Sequence, residues 1–177
     1  GPHDYAADYC RRSFEGVLET LQTDHVPVAM ITMVDTMVKW EAMRPQIEGY
    51  LLPLKEQRII DGIGVSGHHA PLAIEMVESG LIDVLMFPVG LSAPADSGSQ
   101  GAPDRLGSVV AACRAQNVAL VAMKVYAGGM LLDRRHSQAT PVQCLHYALC
   151  QGVASVAVGI QSADEVRAAL RYNGASE

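Results

Sequence analysis

Residues 58–80 read RIIDGIGVSGHHAPLAIEMVESG, and the fold turns on how this stretch is parsed. Ile59, Ile60, Ile63 and Val65 make 59–66 (IIDGIGVS) a short apolar run rich in β-branched side chains, which predicts a strand buried on both faces. Pro71 follows the two histidines at a point where a helix takes its first turn, because that turn needs no proline N–H. Gly80 stands where a helix over 71–79 would stop. A strand that enters a helix through Ser66, Gly67, His68 and His69 is one βα unit. Its junction is either a tight turn with polar filler or one rim segment of an active site.

Working outward, the unit repeats. Phe14, Val17, Leu18 and Leu21 fall at helical spacing within 5–22, an amphipathic helix. Strands are expected over 26–33 (VPVAMITM), 82–89 (IDVLMFPV), 118–125 (VALVAMKV) and 153–159 (VASVAVG). Between them, 38–56 is helical with breaks at Pro45 and Pro53, and Asp104 can cap a helix over 105–116. Thr140, Pro141 and Gln143 predict an N-cap, a first-turn proline and the reciprocal glutamine of a helix that runs to about 150. Ser162 and Glu165 form the same kind of box ahead of the last helix. Residues 90–103 are a loop rich in Gly, Ser, Pro and Ala.

The order is α(βα)5, and strands that alternate with helices predict a parallel sheet. An eight-stranded (β/α) barrel takes about 250 residues, and this chain has 177. The expected fold is therefore α/β, either an open sheet or a partial TIM barrel: a parallel, barrel-like array of five strands in a single domain over 1–177. Gly1-Pro2 is expected to be a remnant of a cleaved tag.

With 49% apolar and 18% charged residues, the chain can bury a core, unlike a disordered segment. A net charge of -6, with no basic cluster longer than Arg134, Arg135 and His136, argues against nucleic acid as a partner. No apolar run reaches the ~18 residues of a membrane span, and no signal peptide is visible, so no membrane partner is expected. Cys10, Cys113, Cys144 and Cys150 form no Cys-x-x-Cys pair. They are expected as free thiols in a reducing, cytoplasmic setting, and no metal site is expected.

Chemistry in parallel α/β folds sits at the C-terminal ends of the strands. Those ends hold Thr32, Met33 and Asp35; Ser66, Gly67, His68 and His69; Pro88 and Gly90; Lys124, Tyr126, Gly128 and Gly129; and Gly159, Gln161 and Ser162. Ser66 either satisfies a turn or holds a ligand. Lys124 either extends to the rim or serves a site, with Asp35 one candidate counter-charge, since a strand-end lysine is rarely buried alone. His146 and Cys150, four apart on one helix, lack a third ligand and are expected to pack.

Four segments in order, RRSFEGVLETLQTDHV (11–26), IGVSGH (63–68), VAMKVYAGGML (121–131) and PVQCLHYALCQGVASVAVGIQSADEVRAAL (141–170), resemble the aldo-keto reductases, in the branch that carries GVSGH and a lysine followed by paired glycines. The resemblance spans about residues 10–172. It implies that Ser66 holds the carboxamide of a nicotinamide cofactor, NADP or NAD, while Gly67 lets the backbone approach it. It further implies that Gly128 and Gly129 line the pyrophosphate, and that Gly159, Gln161 and Ser162 meet the adenosine phosphate at a helix N-terminus.

The resemblance starts at the helix before the family's fourth strand, so the chain is expected to be truncated. The family's catalytic Asp, Tyr and Lys then lie on strands not included here, and its strand-end His falls on Thr32. Within the chain, Lys124, His68, Thr32 and Asp35 remain as candidates for catalysis. The implied function is NAD(P)H-linked carbonyl reduction by an aldo-keto-reductase-like oxidoreductase. The alternatives are a non-reductase homologue that binds a small molecule or serves as a partner subunit, one that runs a different reaction with Ser66, His68 and Lys124, or a metal-dependent lyase or hydrolase built on His68, His69 and Asp35. Pro27 can give no N–H to a ladder and suits an edge. Open edges predict a homodimer, or a partner chain that completes the barrel.

Overall fold

The computed structural model describes residues 8–91, 105–135 and 137–174. Gly1-Pro2, Asp104, His136 and most of the 90–103 loop lie outside the described residues. Helix α1 (Tyr9–Leu21) leads into β1 (Val26–Ile31), α2 (Met37–Gln46), a π-helical turn (Ile47–Leu51) and α3 (Leu52–Glu56). Then follow β2 (Ile60–Ser66), α4 (Ala70–Glu78), β3 (Val84–Pro88), α5 (Arg105–Ala115) and β4 (Ala119–Met123). A 3-10 turn (Ala127–Gly129), α6 (Pro141–Cys150), β5 (Ser155–Val156), α7 (Ala163–Leu170) and a closing 3-10 turn (Arg171–Gly174) complete the order.

All five strands form one parallel sheet in the order β1-β2-β3-β4-β5. Each strand adds beside its predecessor. With right-handed crossovers, that order puts every helix on the same face and wraps the sheet as a barrel wall. Burial alternates accordingly. Ile31, Ile63, Val65, Leu85, Phe87 and Leu120 are buried and share a cluster with the helix residues Trp40, Met43, Ile47, Met76, Val77 and Val109. Val28, Met30, Val84, Met86, Val121 and Met123 project to the other face and are only half-buried. On that face large residues lie over small ones: a Cβ on Gly64 would overlap the Met30 thioether.

Among the described residues both ends of the sheet are open: β1 pairs only with β2, and β5 only with β4. Pro27 sits on the edge strand β1, where its missing N–H costs no ladder bond. The edge also explains why the apolar stripe of α1 is half used. Phe14 is buried and meets Tyr50 edge-on, but Val17 and Leu21 are exposed. They line a cavity of about 330 Å³ with Val26, Val28 and Met30, beside a strand that has no outer neighbour.

The expected breaks near Pro45 and Pro53 take the form of the π-helical turn between them. Pro45 stands in the last turn of α2, the Leu52 N–H reaches back five residues to the Ile47 carbonyl, and Pro53 opens α3. The strand expected over 153–159 is shorter: only Ser155 and Val156 are strand, with the Ala154 and Ala157 N–H groups bonding to the Leu120 and Ala122 carbonyls on either side. The Thr140–Gln143 capping box is present with both arms. At α7 only one arm forms as expected: Ser162 accepts the Glu165 N–H, while the Glu165 carboxylate accepts from Gln161 and not from Ser162. No described helix is long and apolar enough to cross a membrane.

Candidate functional site

The ends of β1, β2 and β3 are stitched into one rim. Val34 N–H donates to the Ser66 carbonyl at 2.7 Å, and Gly67 N–H donates to the Met86 carbonyl at 3.3 Å. Met33, in the left-handed region with φ 58°, turns its N–H onto Ser66 Oγ at 2.9 Å. Glycine is required at 67 by backbone proximity, since a Cβ there would meet the Val34 carbonyl oxygen at 2.8 Å. Ser66 is buried, with its oxygen engaged as an acceptor and its O–H proton free to turn toward another group.

Asp35 is the hub of this rim. Its Oδ1 accepts the His68 backbone N–H at 2.8 Å, and the His68 ring nitrogen Nδ1 lies 2.9 Å from Oδ1 and 3.1 Å from Oδ2. A carboxylate only accepts, so the ring nitrogen that faces it, Nδ1, carries a proton. Nε2 is buried with no hydrogen-bond partner among the described residues. The two side chains are 25% and 27% exposed, which leaves the pair reachable from the rim.

A third residue, Lys39, completes the cluster. Thr36 caps α2 by accepting the Lys39 N–H at 3.2 Å, and the Lys39 side chain folds back so that Nζ donates to the Thr32 carbonyl at 2.8 Å. Lys39 is 8% exposed. Burial lowers its pKa, and the Asp35 carboxylate pulls it partly back up. Lys39 was not among the residues that the sequence singled out. The available signal was its place three residues after a threonine N-cap, which aims a long side chain at the end of the preceding strand.

The structure thus brings Thr32, Asp35, Ser66, Gly67 and His68 together at adjacent strand ends. It does not bring Lys124 to Asp35. Lys124 follows β4 with φ 55°, is exposed, and forms no ion pair among the described residues. His69 is exposed at the N-cap position of α4 and makes no side-chain cap bond. Among the described residues no three His, Cys, Asp or Glu side chains are grouped to hold a metal ion. Tyr126 is buried, its hydroxyl has no partner there, and burial raises its pKa.

The remaining candidates line the far end of the sheet. Gly128 and Gly129 have φ 67° and 92° and open space where a Cβ would stand, and Gly159 is equally open. These three fit a group laid against bare backbone. The start of α7 fits a further phosphate poorly. Gln161 N–H is already taken by Glu165 Oε2 at 2.7 Å, and Asp164 beside it pairs with Arg167.

The family model described as "Aldo/keto reductase family" matches residues 1–172. A search of the curated proteins finds no significant match. Among solved structures, the chain is similar to an aldo-keto reductase from Bacillus halodurans in its holo form, with 20% identity, a TM-score of 0.71, 96% of this chain covered and 62% of that one. It is also similar to an aldo-keto reductase from a Medee basin deep-sea metagenome library, with 13% identity, a TM-score of 0.68 and coverage of 97% and 62%. A third is an aldo/keto reductase from Brucella melitensis, with 15% identity, a TM-score of 0.61 and coverage of 92% and 61%. The chain thus spans about three-fifths of the length of these structures. At such identities they establish the fold alone: a parallel (β/α) array continuous with an aldo-keto reductase barrel.

Proposed function

The chain belongs to the aldo/keto reductase family, and from that membership we propose that it is the cofactor-holding part of an NAD(P)H-linked oxidoreductase that acts on a carbonyl compound. The observation that carries this reading is the gathering of Ser66, Gly67, His68, Asp35 and Thr32 at adjacent C-terminal strand ends, where parallel α/β folds do their chemistry. In this reading Ser66 turns its free O–H toward the cofactor's carboxamide, and Gly128, Gly129 and Gly159 give it bare backbone to lie against. The bound nicotinamide would supply the hydride. His68, fixed by Asp35 with its proton on Nδ1, and Lys39 behind it are the groups of this chain able to hold or move a proton at the rim. Lys124 would serve at the same rim from β4.

A second reading has its own support. Glu165 occupies an N–H at the helix terminus where the resemblance puts the adenosine phosphate. That favours NAD over NADP, or a homologue that has given up the cofactor and uses the rim for another small molecule. Calorimetric titration with NADPH and then NADH separates the readings. Saturable binding in the micromolar range supports the reductase reading, and no heat at millimolar cofactor overturns it.

The open edges β1 and β5, the half-buried inner face and exposed Val17 and Leu21 support a homodimer, or a partner chain, that completes the wall. Sedimentation that finds only monomer at high concentration would refute the homodimer. Four free cysteines fit a reducing, cytoplasmic setting.

A further inference from the structure

A second cavity, of about 630 Å³, opens between α6 and the closing 3-10 turn. That volume suits a small organic molecule. Its walls are mostly apolar or aromatic, from Leu91, Val142, Tyr147 and Tyr172, and into it face His146 and Cys150. One helical turn apart on α6, these two meet: Cys150 Sγ lies 3.5 Å from His146 Nε2. The Tyr172 ring lies 6.3 Å from the imidazole, tilted by 41°. None of these residues takes part in the strand-end rim.

We propose that Cys150 and His146 form a thiol-modification site, at which a small apolar or aromatic disulfide enters this cavity and exchanges with Cys150. The thiolate is the attacking species in such exchange, and a thiol beside a basic nitrogen reaches it most readily. The Cys150 S–H proton passes to His146 Nε2, and the thiolate attacks one sulfur of the disulfide. The new S–S bond forms as the old one breaks. The leaving sulfur departs with the electron pair and takes up the proton from the imidazolium. Cys150 is oxidised to a mixed disulfide, and one half of the reagent is reduced to a thiol.

The other thiols do not compete. Cys10, Cys113 and Cys144 are buried, and burial raises the pKa of each, to about 11 for Cys10 and Cys113. Besides the pair itself, the titratable groups of the cavity wall are Tyr147 and Tyr172. The charged residues of the elements packed on α6 are not part of the wall. Asp164 pairs with Arg167, Glu165 binds the Gln161 N–H, and Arg171 is exposed on the closing turn.

The test uses 4,4′-dithiodipyridine on the native chain, followed by release of the pyridine thione and peptide mass mapping. One thiol reacts fast and maps to Cys150, and Cys150→Ser abolishes that phase. His146→Asn slows it at least about tenfold, below the range usual for a positioned base because a thiol is already moderately acidic. Circular dichroism checks that both variants fold. On the unmutated chain, the rate ratio of dithiodipyridine to the polar glutathione disulfide exceeds the same ratio measured on free cysteine. Labelling of another cysteine first would overturn the proposal. So would an unchanged rate in a folded His146→Asn variant, or a reagent ratio equal to that of free cysteine, which marks an exposed thiol only.

Discussion

Raising the pH should unfold this protein by a route that its buried thiols make quantitative. Cys10 and Cys113 are 6% and 2% exposed, and burial raises each pKa from the ordinary 9.0 to about 11. A raised thiol pKa means that the native state resists ionisation while the unfolded state does not. Below pH 9 both states are protonated and the contribution is fully present. Between about 9 and 11 the unfolded chain loses its protons first, so stability falls, and above about 11 the loss levels off. One pKa unit is worth about 1.4 kcal/mol, so each thiol removes about 2–3 kcal/mol over the whole window and about 2 kcal/mol by pH ~10.5. That is a large share of the ~5–15 kcal/mol that holds a typical domain folded.

Other groups titrate in the same window. Tyr50 and Tyr126 have raised pKa values and add to the loss. Lys39, whose pKa is lowered chiefly by burial, works the other way, because the native state sheds its proton first. A difference measurement cancels these groups, and Cys144 with them, except for the small part of the Tyr50 shift that Cys10 itself causes. Urea midpoints are measured near pH 7.5 and pH 10.5 for the wild type and for a Cys10→Ala, Cys113→Ala double variant. The cavities left by alanine cost the same at both pH values and drop out. The wild type should lose about 4 kcal/mol more than the double variant between the two conditions. Equal losses would refute the reasoning, because the two thiols would then ionise as freely in the fold as outside it.

Three further outcomes follow, two from the rim and one from the start of α7. Gly67→Ala puts a methyl 2.8 Å from the Val34 carbonyl, which should cost about 1–3 kcal/mol in urea unfolding; a change within about 0.5 kcal/mol would mean that the strand crossing yields. Lys39→Met and Asp35→Asn should be non-additive by about 1 kcal/mol in a double-mutant cycle, because the Asp35 charge acts on the Lys39 ammonium; strict additivity would remove that coupling. Glu165→Gln clears a negative charge from the start of α7 and should raise affinity for NADPH relative to NADH about three- to tenfold, read by calorimetry; an unchanged ratio would mean that the 2′-phosphate does not approach this terminus.

The sequence made the array legible wherever a local pattern and a tertiary demand agreed. Each expected strand and helix lying within the described residues is present, because buried parallel strands need continuous apolar runs and their helices need caps and stops that Thr140, Pro141, Pro71 and Gly80 supply. The misses came where the outcome depended on neighbours. The apolar run at 153–159 does not reveal that its register with β4 is confined to Ser155 and Val156. The α1 stripe cannot reveal that Val17 and Leu21 face an open edge. Asp35 and His68 were each visible at a strand end, but their pairing is a contact between residues 33 apart in sequence. Lys39 was missed because its one local signal, a place three residues after the Thr36 cap, does not by itself separate a solvated lysine from one that folds back onto Thr32.

The chemistry of the rim follows from how the fold distributes charge. Asp35 immediately precedes the Thr36 cap of α2, so its carboxylate stands at the positive end of that helix. Lys39 lies one turn inside the same end, where a cation is disfavoured both by the helix dipole and by its own burial. Asp35 offsets that cost while accepting the backbone and ring N–H groups of His68. One carboxylate therefore stabilises a buried ammonium, holds a proton on the imidazole Nδ1 and ties the end of β1 to the end of β2. A neutral side chain of the same shape could keep part of the geometry but not the charge that acts on Lys39. Within this cluster the His68 ring and the Lys39 ammonium each present a proton in a defined place, to Asp35 and to the Thr32 carbonyl respectively.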